Sequence, residues 1–233
     1  MLSSRSTAVI LDLDDTIVDT YNLLIVPLET EAARRIASLP GIGASAEDVL
    51  AASLSARGRA PDEVDRQLSQ RFPAQSTAVA AIRRDVFANA RPDHLRLPAG
   101  RLETLRDLRR RHLLALLTEG DRGWQRRKVL HLDLEPVFDE LVYVDPALGQ
   151  SKKQALADLR RRTGIAYDRM VVVGNRIDNE IAAGIMLGTK TIWVRAGEGR
   201  HRPPPAGVEA NATADGLVGI AAVVDHLLGP SAD

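Results

Sequence analysis

Short, uninterrupted apolar runs recur along the chain, separated by longer stretches in which apolar residues return every three or four positions. The runs fall at residues 8–11, 113–117, 141–144, 170–173 and 191–194. Strands covered on both faces need apolar side chains at every position, so these runs predict the strands of a buried parallel sheet. The periodic stretches at 102–111, 125–132, 152–162 and 179–187 place their apolar residues on one helical face. Strand alternating with helix in this way predicts an α/β fold, a doubly wound parallel sheet with helices on its faces.

The alternation breaks between residues 21 and 97, where the patterns at 28–39, 46–56, 62–72 and 77–90 are helical and none reads as strand. Amphipathic helices with no sheet to cover can bury their stripes against one another. The expectation is an α/β core of residues 1–20 and 98–233 with a helical cap, 21–97, inserted between its first and second strands. Pro27 should start or kink the first cap helix, and Pro40 with Gly41 should end it. Pro203, Pro204 and Pro205 exclude helix and predict an extended connection to a terminal helix at 217–228.

Composition narrows the function classes. Lys plus Arg and Asp plus Glu balance at 31 each, and aromatics make up 3%. No basic field or base-stacking surface is indicated, so neither a nucleic acid nor a membrane surface is an expected partner. The chain contains no cysteine, which excludes disulfides, thiolate catalysis and cysteine-ligated metals. No apolar run approaches the roughly 20 residues of a membrane-spanning helix, and the polar start is unlike a signal peptide. A cytoplasmic setting is the expectation.

Directly after the first run stand Asp12, Leu13, Asp14, Asp15 and Thr16. Open α/β sheets bind ligands outside the carboxyl ends of their strands, which is where this cluster falls. Residues two apart on an extended strand face the same way, so Asp12 and Asp14 are aimed into one cleft. Their repulsion there calls for a cation or a proton. A turn or helix cap explains a single Asp, but not this clustering. The second run ends in Thr118, followed by Glu119 and Gly120; a hydroxyl beside backbone N–H groups can hold a phosphate oxygen without adding charge. Lys152 and Lys153 open a helical stretch. The fourth run leads into Gly174, Asn175, Asp178 and Glu180, an oxygen-rich cluster before a helix.

In this order, these elements resemble the motifs of the haloacid dehalogenase superfamily, in its phosphatase branch with an inserted helical (C1-type) cap. The resemblance implies that Asp12 attacks phosphorus to give an aspartyl phosphate. It also implies that Asp14 protonates the leaving oxygen and later deprotonates the attacking water. Asp14 should then have a raised pKa at transfer, while magnesium keeps Asp12 ionised. The implied magnesium ligands are Asp12, the backbone carbonyl of Asp14, and Asn175 and Glu180, with Asp178 a nearer alternative carboxylate. Thr16, Thr118, Glu119, Gly120 and Lys152 are the implied phosphate contacts; the spacing of Ala and Leu after Lys152 favours it over Lys153. The chain departs from the commoner pattern at Glu119, Asn175 and Glu180.

The expected activity is hydrolysis of a small phosphorylated metabolite under the cap, which would supply specificity. A phosphotransferase or phosphomutase would share the same core residues, and a weakened binding or regulatory protein would fit the substituted positions. Gly197–Arg200 follows the last strand and could border the site, but reads better as a Gly-rich turn. His94, His112, His131, His201 and His226 lack metal-ligand spacing, and the cap arginines Arg57, Arg59, Arg83 and Arg84 are candidate anion contacts or simply surface.

Overall fold

A computed structural model describes residues 5–57, 63–201 and 203–229. They fall into two compact units, one running up to Asp19 and resuming at Leu95, the other Thr20–His94. Arg59 and Asp62, which the sequence marks as a candidate anion contact and the start of a cap helix, lie outside the described residues.

The first unit is built on strands β1 (Ala8–Leu11), β2 (Leu113–Glu119), β3 (Glu140–Val144), β4 (Met170–Gly174), β5 (Lys190–Val194) and β6 (Ala212–Ala214). Every pairing is parallel and the order is β3-β2-β1-β4-β5-β6. Central β1 pairs on one side with Leu113–Leu116 and on the other with Met170–Val173. Its residues Ala8, Val9, Ile10 and Leu11 are all buried, as are their partners. That two-sided burial is why these strands appear in the sequence as unbroken apolar runs. β6 was not expected: three residues of Ala and Thr carry no pattern. It is held by Asn211, whose Oδ1 accepts from the Thr191 N–H at 2.9 Å.

Helices α5 (Arg101–Arg111), α6 (Arg122–His131), α7 (Lys152–Thr163), α8 (Ala182–Leu187) and α9 (Ile220–Leu228) complete this unit. Side-chain caps set the starts of two of them: Asp121 accepts from the Trp124 N–H before α6, and Ser151 from the Gln154 N–H before α7. The second cap fixes Lys152 as the first residue of its helix. Between β4 and α8 the chain makes a wider π-helical turn, Ile177–Ile181, where the periodicity suggests ordinary helix from 179.

The second unit contains α1 (Val26–Ala37), α2 (Ala46–Ala56), α3 (Glu63–Arg71) and α4 (Ser76–Ala88), packed around Ile36, Val49, Leu68 and Val79. Pro27 closely follows a wider π-helical turn, Tyr21–Ile25, that runs without a break into α1, so it lies within a continuous helical stretch where the backbone ladder is already widened. Glu29 is fully buried in this bundle and accepts from Arg57 at 2.6 Å and Ser53 at 2.9 Å, with Arg83 also in contact. Two of the candidate anion-binding arginines are therefore tied to an internal carboxylate; Arg84 is exposed.

Candidate active site

Strand order reverses between β1 and β4, and the crevice at such a switch point is where open α/β sheets bind ligands. Asp12 extends β1 by one more bond, its N–H donating to Val173 O at 2.9 Å. The chain then turns sharply. Ile17 and Val18 both donate to Leu13 O, at 2.9 and 3.2 Å, and Asp15 adopts a positive φ of 58°. Leu13 and Ile17 go into the core, while Asp12, Asp14 and Asp15 line a cleft of about 150 Å³. Glu119 from β2, Lys152 from α7, and Asn175, Arg176 and Asn179 after β4 line the same cleft. The pattern of alternate residues facing one way thus holds for Asp12 and Asp14.

Below the cleft floor lies a buried cluster with one ammonium and two carboxylates. Lys152 Nζ donates to Asp12 Oδ1 at 2.7 Å and to Glu180 Oε2 at 2.9 Å, and Glu180 Oε1 accepts from the Arg176 N–H at 2.6 Å. Asp12, Lys152 and Glu180 are 6%, 3% and 1% exposed. Burial works against the charge of Lys152, but Asp12 and Glu180 outweigh it and raise its pKa above the usual range. Burial pushes the Asp12 carboxyl up to about 7, against the pull of Lys152, with Glu180 and Asp14 adding to the rise. Lys152 and Glu180 balance each other, so Asp12 holds the surplus negative charge.

A stability prediction follows from that shift. As pH rises from about 4 to about 7, the unfolded chain releases the Asp12 proton while the folded protein retains it, so stability falls across this window and levels off above it. In chelator, Asp12→Asn should therefore melt higher than wild type at pH 8, by on the order of a few kcal/mol, with the gap closing towards pH 4.5. An equal gap at both pH values would remove this account.

Other residues are distributed less uniformly. Lys152 is the buried lysine of its pair and Lys153 is exposed. The hydroxyls of Thr16 and Thr118 are buried and without a hydrogen-bond partner, but neither residue lines the cleft, so their expected contact with phosphate is not on the cleft surface. Glu119 turns its Oε1 to Asn179 Nδ2 at 3.0 Å. Three further expectations need correction. Glu180, a candidate metal ligand, has one oxygen on Lys152 and the other on a backbone amide, and does not line the cleft. Gly120, a candidate phosphate contact, donates its N–H to Val144 O at 2.9 Å. Of the two readings of Gly197–Arg200, the structure favours the one that borders the site: a side chain at Gly197 would overlap Asp15, the Glu198 N–H donates to Asp15 Oδ2 at 3.2 Å, and Glu198 lines the cleft. Asp178 pairs with Arg176 at 3.0 Å.

Gln125 and Lys128 escaped the sequence reading. Lys128 Nζ lies 2.6 Å from Asp14 Oδ2, and Gln125 Nε2 donates to the same oxygen at 3.1 Å and to Glu119 O at 2.7 Å. The available signal was their spacing of three on the otherwise apolar face of α6.

The donor set suits a hard cation. Carboxylates of Asp12, Asp14, Asp15, Glu119 and Glu198 outnumber Lys152 and Arg176 around the cleft, so a divalent ion there would relieve the strain on Asp12. Among the described residues no group of three His, Cys, Asp or Glu side chains has metal-binding geometry. Amide and backbone oxygens must then contribute, which is compatible with magnesium, an ion that keeps several waters.

The model of a family described as haloacid dehalogenase-like hydrolase matches residues 7–188. A glyceraldehyde 3-phosphate phosphatase of Pyrococcus furiosus is 23% identical over 83% of this chain and 82% of its own. That of Methanothermobacter thermautotrophicus is 27% identical over 81% and 85%. Among solved structures, the magnesium-bound HAD-family protein YfnB of Bacillus subtilis matches with a TM-score of 0.65 and 16% identity, covering 97% of this chain and 100% of that one. The last likeness is one of fold.

Proposed function

Given that the chain belongs to the haloacid dehalogenase-like hydrolases, we propose that it is a magnesium-dependent phosphatase acting on a small phosphate monoester through an aspartyl-phosphate intermediate. The observation that carries this reading is the pairing of Asp12 and Asp14 in one cleft, with an ammonium 2.7 Å from Asp12. Fold alone would not choose phosphoryl transfer; the second acid, Asp14, sets this chain apart from a site for carbon–halogen cleavage.

In the first half-reaction an Asp12 oxygen bonds to phosphorus as the ester P–O bond breaks, and the leaving oxygen takes a proton from Asp14. In the second, Asp14 takes a proton from water, whose oxygen bonds to phosphorus as the Asp12–phosphorus bond breaks. Inorganic phosphate leaves and both carboxyl groups return to their starting states. Lys152 neutralises charge at Asp12 throughout, positioned by Glu180. Asp12, the Asp14 carbonyl and Asn175 would hold magnesium, which when bound offsets the negative charge that nucleophile and phosphate bring together.

The test is release of inorganic phosphate from a panel of phosphorylated sugars, trioses, nucleotides and small acids, with and without magnesium. The named activity of the two archaeal relatives puts triose phosphates first. Phosphoryl transfer to an acceptor without free phosphate would favour a phosphotransferase, and inactivity across the panel would favour a binding protein. Because Asn175 contributes no charge, Asn175→Asp should lower the magnesium concentration for half-maximal rate by about tenfold; an unchanged value would take Asn175 out of the ligand set.

A further inference from the structure

We propose that Lys128 and Gln125 form a positioning pair that aims Asp14 at the leaving-group oxygen. The proposal rests on the phosphatase reading above. Lys128 is 2% exposed, in the middle of α6, and its ammonium reaches both oxygens of Asp14. Within α6 the ammonium also lies 5.9 Å from the Trp124 ring centroid, at the outer limit of a cation–π contact and a weak reason for so deep a charge. Next to it Val129 is fully buried, and replacing a buried ion pair by apolar side chains is often neutral or favourable to stability. A lone ammonium retained at such depth, on the one acid that must meet the leaving group, fits a role in placing that acid.

Gln125 supplies the second constraint. Its Nε2 bridges Asp14 Oδ2 and the carbonyl of Glu119, tying the acid to the end of β2. Gly120 makes room for this bridge: its φ is +139°, and a β-carbon there would lie 2.9 Å from Gln125 Nε2. Three donor contacts from one helix thus converge on the Asp14 carboxylate. Lys152 is bonded to Asp12 and Glu180, so the two cations divide the work: one faces the nucleophile, the other the acid. Neither Lys128 nor Gln125 needs to touch substrate.

A positioning role makes a specific kinetic demand. Protonation of the leaving oxygen matters most for a poor leaving group, so loss of aim should show on alkyl esters and much less on 4-nitrophenyl phosphate. Lys128→Met should lower kcat/KM for the best alkyl ester of the panel by about 100-fold, and for the aryl ester by less than about tenfold. Lys128→Arg should recover part of the alkyl activity. In an Asp14→Asn background, Lys128→Met should change neither value further. If Lys128→Met fails to fold, Gln125→Met should give the same selective loss in smaller measure. Equal losses on the two esters, or additive losses with Asp14→Asn, would overturn the positioning role and leave the phosphatase reading standing. Inability of the wild-type protein to hydrolyse either ester would remove that reading, and the role of Lys128 with it.

Discussion

Asp12→Asn is expected to reduce phosphate release by at least about 10⁴-fold while the protein stays folded. The two carboxylates nearest in role are not placed to substitute. Glu180 has both oxygens engaged beneath the cleft, and Asp14 is held by Lys128 and Gln125. An amide at position 12 could still accept from Lys152, so the pocket should keep its shape. Substrate affinity should change much less than turnover, because the lost interaction is covalent bond formation. Rapid quenching of wild type with a labelled ester, followed by peptide mapping, should place the phosphoryl group on Asp12. Label on another residue, or a few per cent of wild-type activity in the variant, would refute the assignment.

Lys152→Met should be nearly as damaging to turnover, about 10³-fold, and should also destabilise the fold. The variant leaves Asp12 and Glu180 in one buried pocket without the cation they share. Removing one partner from a buried ion pair typically costs about 3–5 kcal/mol, because the remaining charge has no compensation. The two effects separate in the double variant Lys152→Met/Glu180→Gln. Removing the second carboxylate should restore most of the stability, measured by urea unfolding, but none of the phosphate release. Activity that returns with stability would mean that Lys152 serves the fold alone.

The sheet was legible because burial on both faces writes itself into the sequence as unbroken apolar runs, and β1 to β5 begin or end within two residues of those runs. Asp12, Asp14 and Lys152 were legible because each adjoins a strand end or opens a helix at the edge where such sheets bind ligands. What the sequence concealed depends on pairing across the chain. Whether Glu180 faces a metal or a lysine is decided by α7, 28 residues away. Gln125 and Lys128 look like surface polar residues of α6 until Asp14, more than a hundred residues earlier, is placed against them. α6 also starts before its apolar periodicity does, at Arg122, because Asp121 rather than an apolar residue sets its first turn. In β6 packing is replaced by Asn211, which local pattern does not encode.

Asp12 and its ammonium partner stand 140 residues apart in the chain. Chain order therefore sets the strand end that carries the proposed nucleophile far from α7, the helix that brings its cation. Until α7 is in place, Asp12 is an acidic strand end without its buried cation. On the proposed mechanism, ester cleavage would then count only those molecules in a refolding mixture in which α7 has docked beside β1.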